Sequence, residues 1–225
     1  MSDIGKIFSS RLFWIVAMLC VLYYSAIFPF QKFAANMLQS NLGITATAAA
    51  DIFRWFPIGA ACITPFLGFY LDRRGKGATM LILGSLLMII CHTTFALVLP
   101  AVPSKAIAFA AIILLGISFS LVPAALWPSI PKIMDKRYLG SAYSLIFWVQ
   151  NFGLSGTPII IGYALEKSNP GVAEQIAAGA EGVAYNYTVP MLLFASLGVM
   201  ALIFALWLKA DDKRNHYGLE EPNIK

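Results

Sequence analysis

The chain has 225 residues, of which 59% are hydrophobic and 12% charged; its formal net charge is +5 and its mean hydropathy +0.75. An ordinary soluble domain carries about 25% charged residues, so this composition excludes a water-soluble globule and places the chain among membrane proteins.

Charge-free intervals define the elements. Residues 12–31, 55–71, 77–104, 106–131, 138–165 and 182–208 contain no Asp, Glu, Lys or Arg. A helix needs about 20 apolar residues to cross the hydrocarbon core. The intervals therefore predict an all-α membrane protein, a single bundle over residues 1–225 with spans at about 12–34, 47–71, 78–99, 105–130, 138–164 and 188–208. The alternating ten-residue segments of a transmembrane barrel are missing from the pattern. The first interval is longer than a signal h-region, and no small-residue cleavage site follows it, so it reads as a span.

The first span contains Tyr23, Tyr24, Ser25 and Phe28 just before Pro29. Adjacent helical residues point about 100° apart, so at most one of the two tyrosines squarely faces a central cavity. The second span opens on Asp51 and Arg54, an i, i+3 pair able to share one helix face. Ionisable residues in a span are functional candidates by default; these two lie near its outer end and read as a cavity or outer-gate pair. Pro57 and Pro65 follow.

The turn after the second span reads GFYLDRRGKG, Gly68 to Gly77. Gly68 suits a close helix approach. Asp72 sits at a helix end, placed to pair with Arg73 or Arg74 or to meet a helix N-terminus. Gly75 permits a tight turn at positive φ, and Arg74 and Lys76 suit an anionic membrane surface. The third span brings Cys91 and His92, which read as packing residues, as do Cys20 and Cys62. In the fourth span Pro123 and Pro128 flank Trp127. The fifth carries Trp148, Gln150 and Asn151, whose amides need partners in lipid, either a solute or a neighbouring helix. Asn186-Tyr187-Thr188 is a formal glycosylation sequon abutting the sixth span.

Six spans put both termini on one side. That side holds 12 basic residues, Lys6, Arg11, Arg73, Arg74, Lys76, Lys132, Lys136, Arg137, Lys209, Lys213, Arg214 and Lys225. The other side holds 3, Lys32, Lys105 and Lys167. The positive-inside rule makes the termini and the 72–76 cluster cytoplasmic. Membrane topology accounts for the basic balance, and no nucleic-acid partner is expected. No P-loop, HExxH, GxSxG or paired catalytic carboxylates occur, so an enzyme is not expected. Neither is a metal or a cofactor.

The pattern Gly68-x-x-x-Asp72-Arg73-x-Gly75-Lys76 resembles the cytoplasmic loop signature of the major facilitator superfamily, which joins the second and third helices of each six-helix half. It departs from the fuller signature at Gly77. The segments YYSAIFPF (Tyr23–Phe30), AALWPSIP (Ala124–Pro131) and LGSAYSLIFWVQNFGL (Leu139–Leu154) resemble the carboxy-terminal half of one branch of that family. That branch is typified by a lysosomal dipeptide uniporter of animals.

The resemblance implies helices 7 to 12 of a facilitator fold, moving a small organic solute, short peptides above all, by alternating access. Within such a fold Tyr23, Tyr24, Phe28, Asp51, Arg54, Trp127, Trp148, Gln150 and Asn151, singled out above by residue type and place in the spans, are the substrate or gate candidates. The resemblance makes Gly68, Asp72, Arg73, Arg74, Gly75 and Lys76 a conformational-switch loop. The expected partners are the lipid bilayer, the solute, and a six-helix amino-terminal half or a second copy. A fragment, or a split gene product, whose other half lies elsewhere is favoured over a homodimer, and over a non-transporting scaffold. The expected location is the plasma (inner) membrane if bacterial, or a lysosomal-type membrane if animal.

Overall fold

The computed structural model describes residues 3–224. After a short helix α1 (Asp3–Phe8), Ser10 caps α2 (Arg11–Leu42) by accepting the Phe13 N–H. Gly43 ends α2 at φ 62°, a left-handed stop. The second span is two helices, α3 (Ala46–Phe53) and α4 (Trp55–Arg74), joined without a gap at Arg54. The third runs through α5 (Gly77–Thr93), a π turn (Thr94–Val98) and α6 (Leu99–Ala101). Then follow α7 (Lys105–Ile133), a 3-10 turn (Lys136–Tyr138), α8 (Leu139–Ser168), the short α9 (Val172–Ala177) and α10 (Thr188–Asn215).

Among the described residues six helices, with α3–α4 and α5–α6 counted as single spans, are long and apolar enough to cross a membrane. They outrun the charge-free intervals at several ends. α2 continues past Lys32 to Leu42, and α10 past Lys209 to Asn215. Lack of charge marks the hydrocarbon, whereas backbone hydrogen bonding carries the helix on into the polar interface.

α2 is the centre of the bundle. It packs against α8 and α10, and also touches α3 and α7; α5 lies between α7 and α10, and α4 rests on α7. In the most apolar stretch of α2, 72% of residues are buried, against 11% in the α3–α4 span and 17% in the α8 span. Those two spans are the least enclosed, and packing through α7 and α2 separates them, so they stand on either side of the face that α7 and α2 present.

Lipid tails are as apolar as leucine, so helix association rests on close packing and hydrogen bonds. Ser118 of α7 donates to the Gly84 carbonyl of α5 at 2.7 Å. Tyr23, fully buried, bonds through its hydroxyl to the Leu81 carbonyl and to Ser85, 2.6 Å away. At the α2–α8 seam Gly153 lies against Ser25 and Val21; a Cβ there would come within 2.8 Å of a Val21 methyl and closer still to the Ser25 hydroxyl. His92 is buried between the rings of Phe30 and Phe194, its Nδ1 2.9 Å from the Met88 carbonyl, as its packing role requires.

At the end of the bundle away from the termini, Asn169 joins α8 to α10. Its amide donates to the Asn186 carbonyl at 3.0 Å and accepts the Asn186 N–H at 2.6 Å. The Asn186 side chain, the sequon asparagine, accepts the Thr188 N–H at 2.8 Å and so starts α10. Beside it Tyr187 donates to Asn36 at 2.7 Å. Burial, and secondarily Tyr185, pushes the Tyr187 phenol above its ordinary range.

Candidate functional site: an aromatic shelf and a tethered turn

Aromatic rings line the face of α7 and α2 in an unbroken chain. Phe53 stacks on Phe56 (5.7 Å between centroids), Phe56 meets Phe119 (5.8 Å), and Phe119 sits edge-on to Phe28 (5.6 Å). Phe28 stacks on Tyr24 (5.4 Å), Tyr24 meets Trp127 (6.1 Å), and Trp127 meets Phe147 (4.9 Å). The chain crosses from α3 and α4 over α7 and α2 to α8. Phe28 is 40% exposed and Phe147 48%, so the rings surface as a shelf there, while Phe56 is buried in the core beneath it.

Two polar contacts fix the shelf. The Trp127 indole N–H donates to the Tyr24 hydroxyl at 3.1 Å, and the Tyr143 hydroxyl donates to the Trp127 carbonyl at 3.2 Å. Three prolines, Pro123, Pro128 and Pro131, interrupt α7 around this tryptophan. A proline lacks the N–H that would bond one turn back, and the freed carbonyls need other partners. The Trp127 carbonyl lies one turn before Pro131, the bond it would otherwise make within α7, and Tyr143 supplies its donor.

Of the residues singled out in the sequence, the structure brings Tyr24, Phe28 and Trp127 together. Asn151 lies one turn along α8 from Phe147, donates to its carbonyl at 2.9 Å, and remains exposed. The others lie elsewhere. Tyr23 is turned away from the shelf into the core, as the 100° step between neighbours allows. Gln150 is buried, accepting from the Cys20 thiol at 3.1 Å, so it bridges α2 and α8. Trp148 is exposed and packs edge-on to Phe152 (4.9 Å), one residue round α8 from Phe147. Asp51 and Arg54 form an ion pair at 3.1 Å with both side chains largely exposed. Of the cysteines, Cys20 and Cys91 are buried, but Cys62 is on the exposed surface of α4.

Sequence reasoning missed Phe53, Phe56, Phe119, Tyr143 and Phe147. Helical spacing could have found some of them, because Tyr143, Phe147 and Asn151 recur at i, i+4, i+8 and share one face of α8. The recurrence was not distinctive in a chain this rich in aromatics.

The Asp72–Gly77 turn lies at the end of the bundle that carries both termini. Gly75 adopts φ 72°, and Lys76 follows at φ 68°, unusual for a side-chain-bearing residue. Two expectations need correction. Gly68 makes no close helix contact within the bundle, since a Cβ there would meet nothing within 4 Å. Asp72 does not form an ion pair with Arg73 or Arg74 among the described residues; it accepts from the Asn223 amide at 2.9 Å, and its carbonyl accepts the Ile224 N–H at 3.1 Å. Arg73 lies instead over the Phe69 ring, 4.2 Å from its centroid. The carboxy-terminal segment reaches the acid first, a long-range pairing that local charge rules do not register.

Among the described residues no group of three or more His, Cys, Asp or Glu side chains converges as a metal site. The shelf offers flat apolar surface, a hydroxyl and an exposed amide, suited to holding an organic solute.

Comparison with known proteins agrees with this architecture. Residues 13–223 match the model of the Major Facilitator Superfamily. The chain is 30% identical over 155 residues to the lysosomal dipeptide transporter MFSD1 of Bos taurus and 32% identical over 155 residues to that of Danio rerio. Each match covers 68% of this chain but only 31% and 32% of the relative. The human protein of the same name is 29% identical over 156 residues. The chain thus spans about a third of the length of the curated relatives it matches. With a superfamily match over nearly its whole length and six apolar helices, the chain is an integral membrane protein that belongs to the major facilitator superfamily of transporters.

Proposed function

We propose that the chain is the carboxy-terminal six-helix half of a transporter that moves short peptides or similar small organic solutes by alternating access. The observation that carries this reading is the aromatic shelf on the side flanked by the two least buried spans, α3–α4 and α8. A facilitator binds solute between two bundles, and an exposed shelf of this kind supplies one wall of such a cleft.

Tyr24, Phe28, Trp127 and Phe147 hold the solute's apolar part, and Asn151 offers it an amide. Arg54, at the α3–α4 junction and next in sequence to Phe53, attracts a carboxylate, with Asp51 fixing its orientation. A uniport mechanism fits the ionisable residues of the six spans, where the Asp51–Arg54 pair is exposed at a helix junction. The termini and the Asp72–Gly77 turn face the cytoplasm, on the strength of the basic excess at that end. The turn acts as the conformational switch.

Uptake in liposomes tests the reading, with this chain reconstituted alone and with a six-helix amino-terminal half, against dipeptides and organic anions. Saturable dipeptide uptake that needs both halves is the expected result. Uptake by the chain alone would establish a homodimer, and no uptake of any solute by a correctly inserted pair would reject the transporter half. A cysteine placed at Lys136 in sealed right-side-out vesicles should resist an impermeant thiol reagent, whereas one at Glu174 should react.

A further inference from the structure

The segment Gly218–Ile224 lies across the termini-bearing end of the bundle and is tied down along its whole length. The carbonyls of Leu219 and Glu220 accept the N–H groups of Gly77 and Lys76, each at 3.0 Å. The Glu220 carboxylate accepts the Thr79 N–H at 2.7 Å and the Thr79 hydroxyl at 2.6 Å, with the Lys209 ammonium 3.9 Å away. Lys132, near the end of α7, donates to the carbonyls of Gly218 and Glu221 at 2.9 and 2.8 Å. Leu219 is buried, and its N–H donates to Asp212 of α10 at 3.0 Å. Asn223 and Ile224 reach Asp72 at the end of α4.

The turn is shaped to receive this segment. Successive positive φ values at Gly75 and Lys76 present two backbone donors side by side. A Cβ on Gly75 would fall within 2.7 Å of the Glu221 carbonyl oxygen, so a side chain there and the segment exclude one another. A segment outside the helices is held in place by ties of this kind, and here they reach four different spans.

We propose that Gly218–Ile224 is a strap that clamps the Asp72–Gly77 turn, making the ends of α4, α5, α7 and α10 one rigid body until it is released. Its part in the transport cycle rests on the transporter reading above; the clamp itself does not.

Amide exchange of the full chain in lipid nanodiscs, compared with a chain ending at Tyr217 and with full-length Glu220→Ala, tests the clamp. Exchange at Lys76, Gly77 and Thr79 should rise about tenfold or more on truncation and by less in Glu220→Ala. Amides of the Asn169–Thr188 end should not change, which separates strap release from global unfolding. Glu220→Ala keeps the complete chain, so the test survives if truncation prevents folding. Unchanged exchange at all three amides in both variants, or wild-type Leu219 and Glu221 amides exchanging as in a free peptide, would overturn the strap. Flux through the reconstituted transporter is the second arm. Faster exchange with altered flux supports both the clamp and the switch, whereas faster exchange with normal flux keeps the clamp and removes the turn's role in cycling.

Discussion

Trp127 of α7 and Tyr24 of α2 are joined by an indole-to-hydroxyl hydrogen bond of 3.1 Å at the middle of the aromatic shelf. The bond fixes which way the indole faces. Tyr24→Phe leaves the stacking on Phe28 and orphans the Trp127 N–H, at a cost of about 1–2 kcal/mol. Expression should persist, with a fall of a few degrees in melting temperature in detergent. The apparent KM for dipeptide should rise about three- to tenfold with kcat little altered, the signature of lost binding. A variant with wild-type KM would remove Tyr24 from the solute site.

Tyr23→Phe should do the reverse. Its hydroxyl lies in the core on Leu81 and Ser85, and Ser85 keeps its own 2.9 Å bond to the Leu81 carbonyl when the phenol is gone. Stability should drop by about 1 kcal/mol, while KM stays at the wild-type value. A raised KM with normal stability would show that the core assignment misses a role for this residue.

The Gly153–Ser25 contact yields a double-mutant prediction. Gly153→Ala forces a methyl into Val21 and the Ser25 hydroxyl, which should cost about 1–3 kcal/mol of overpacking. Ser25→Ala alone removes a buried hydroxyl that has no hydrogen-bond partner, so it should be neutral or slightly stabilising. In the double variant Ser25→Ala should recover part of the loss, because the nearest clashing atom is gone. Strictly additive melting shifts would contradict direct contact between α2 and α8 at this level.

Arg54→Ala separates a gate from a structural pair. An exposed ion pair contributes about 0–1 kcal/mol, so the melting temperature should hardly move. Uptake of dipeptide should fall several-fold, and more at low than at high ionic strength, since salt screens an exposed charge. Equal uptake at all salt concentrations would leave Asp51 and Arg54 as a surface pair only.

The sequence carried the fold further than it carried the site. Gaps between charges are a property of the chain itself, so all six spans could be read from them, and Gly75 declared its positive φ by its type. What could not be read was anything set by two distant segments meeting. Asp72 looked to Arg73 or Arg74, or to a helix N-terminus, and within this chain Asn223 bonds it from 151 positions away. Gln150 looked equally able to bind a solute or to bridge helices, and the choice was made by Cys20 on another span. Tyr23 and Tyr24 are chemically identical neighbours, and only the rotation of α2 in the bundle tells core from shelf.

The central place of α2 also bears on the order of assembly. Of the six spans it leaves the ribosome first, yet α8 and α10, which cover much of it, are made late. Until those two follow it, then, the helix that ends up most enclosed stands against lipid with few of its final neighbours. Tyr23 finds its acceptors on α5 two spans later, but Cys20 must wait for Gln150 on the fifth. Closure of the bundle is thereby delayed until most of the chain is in the membrane, and contacts of such long sequence separation form slowly.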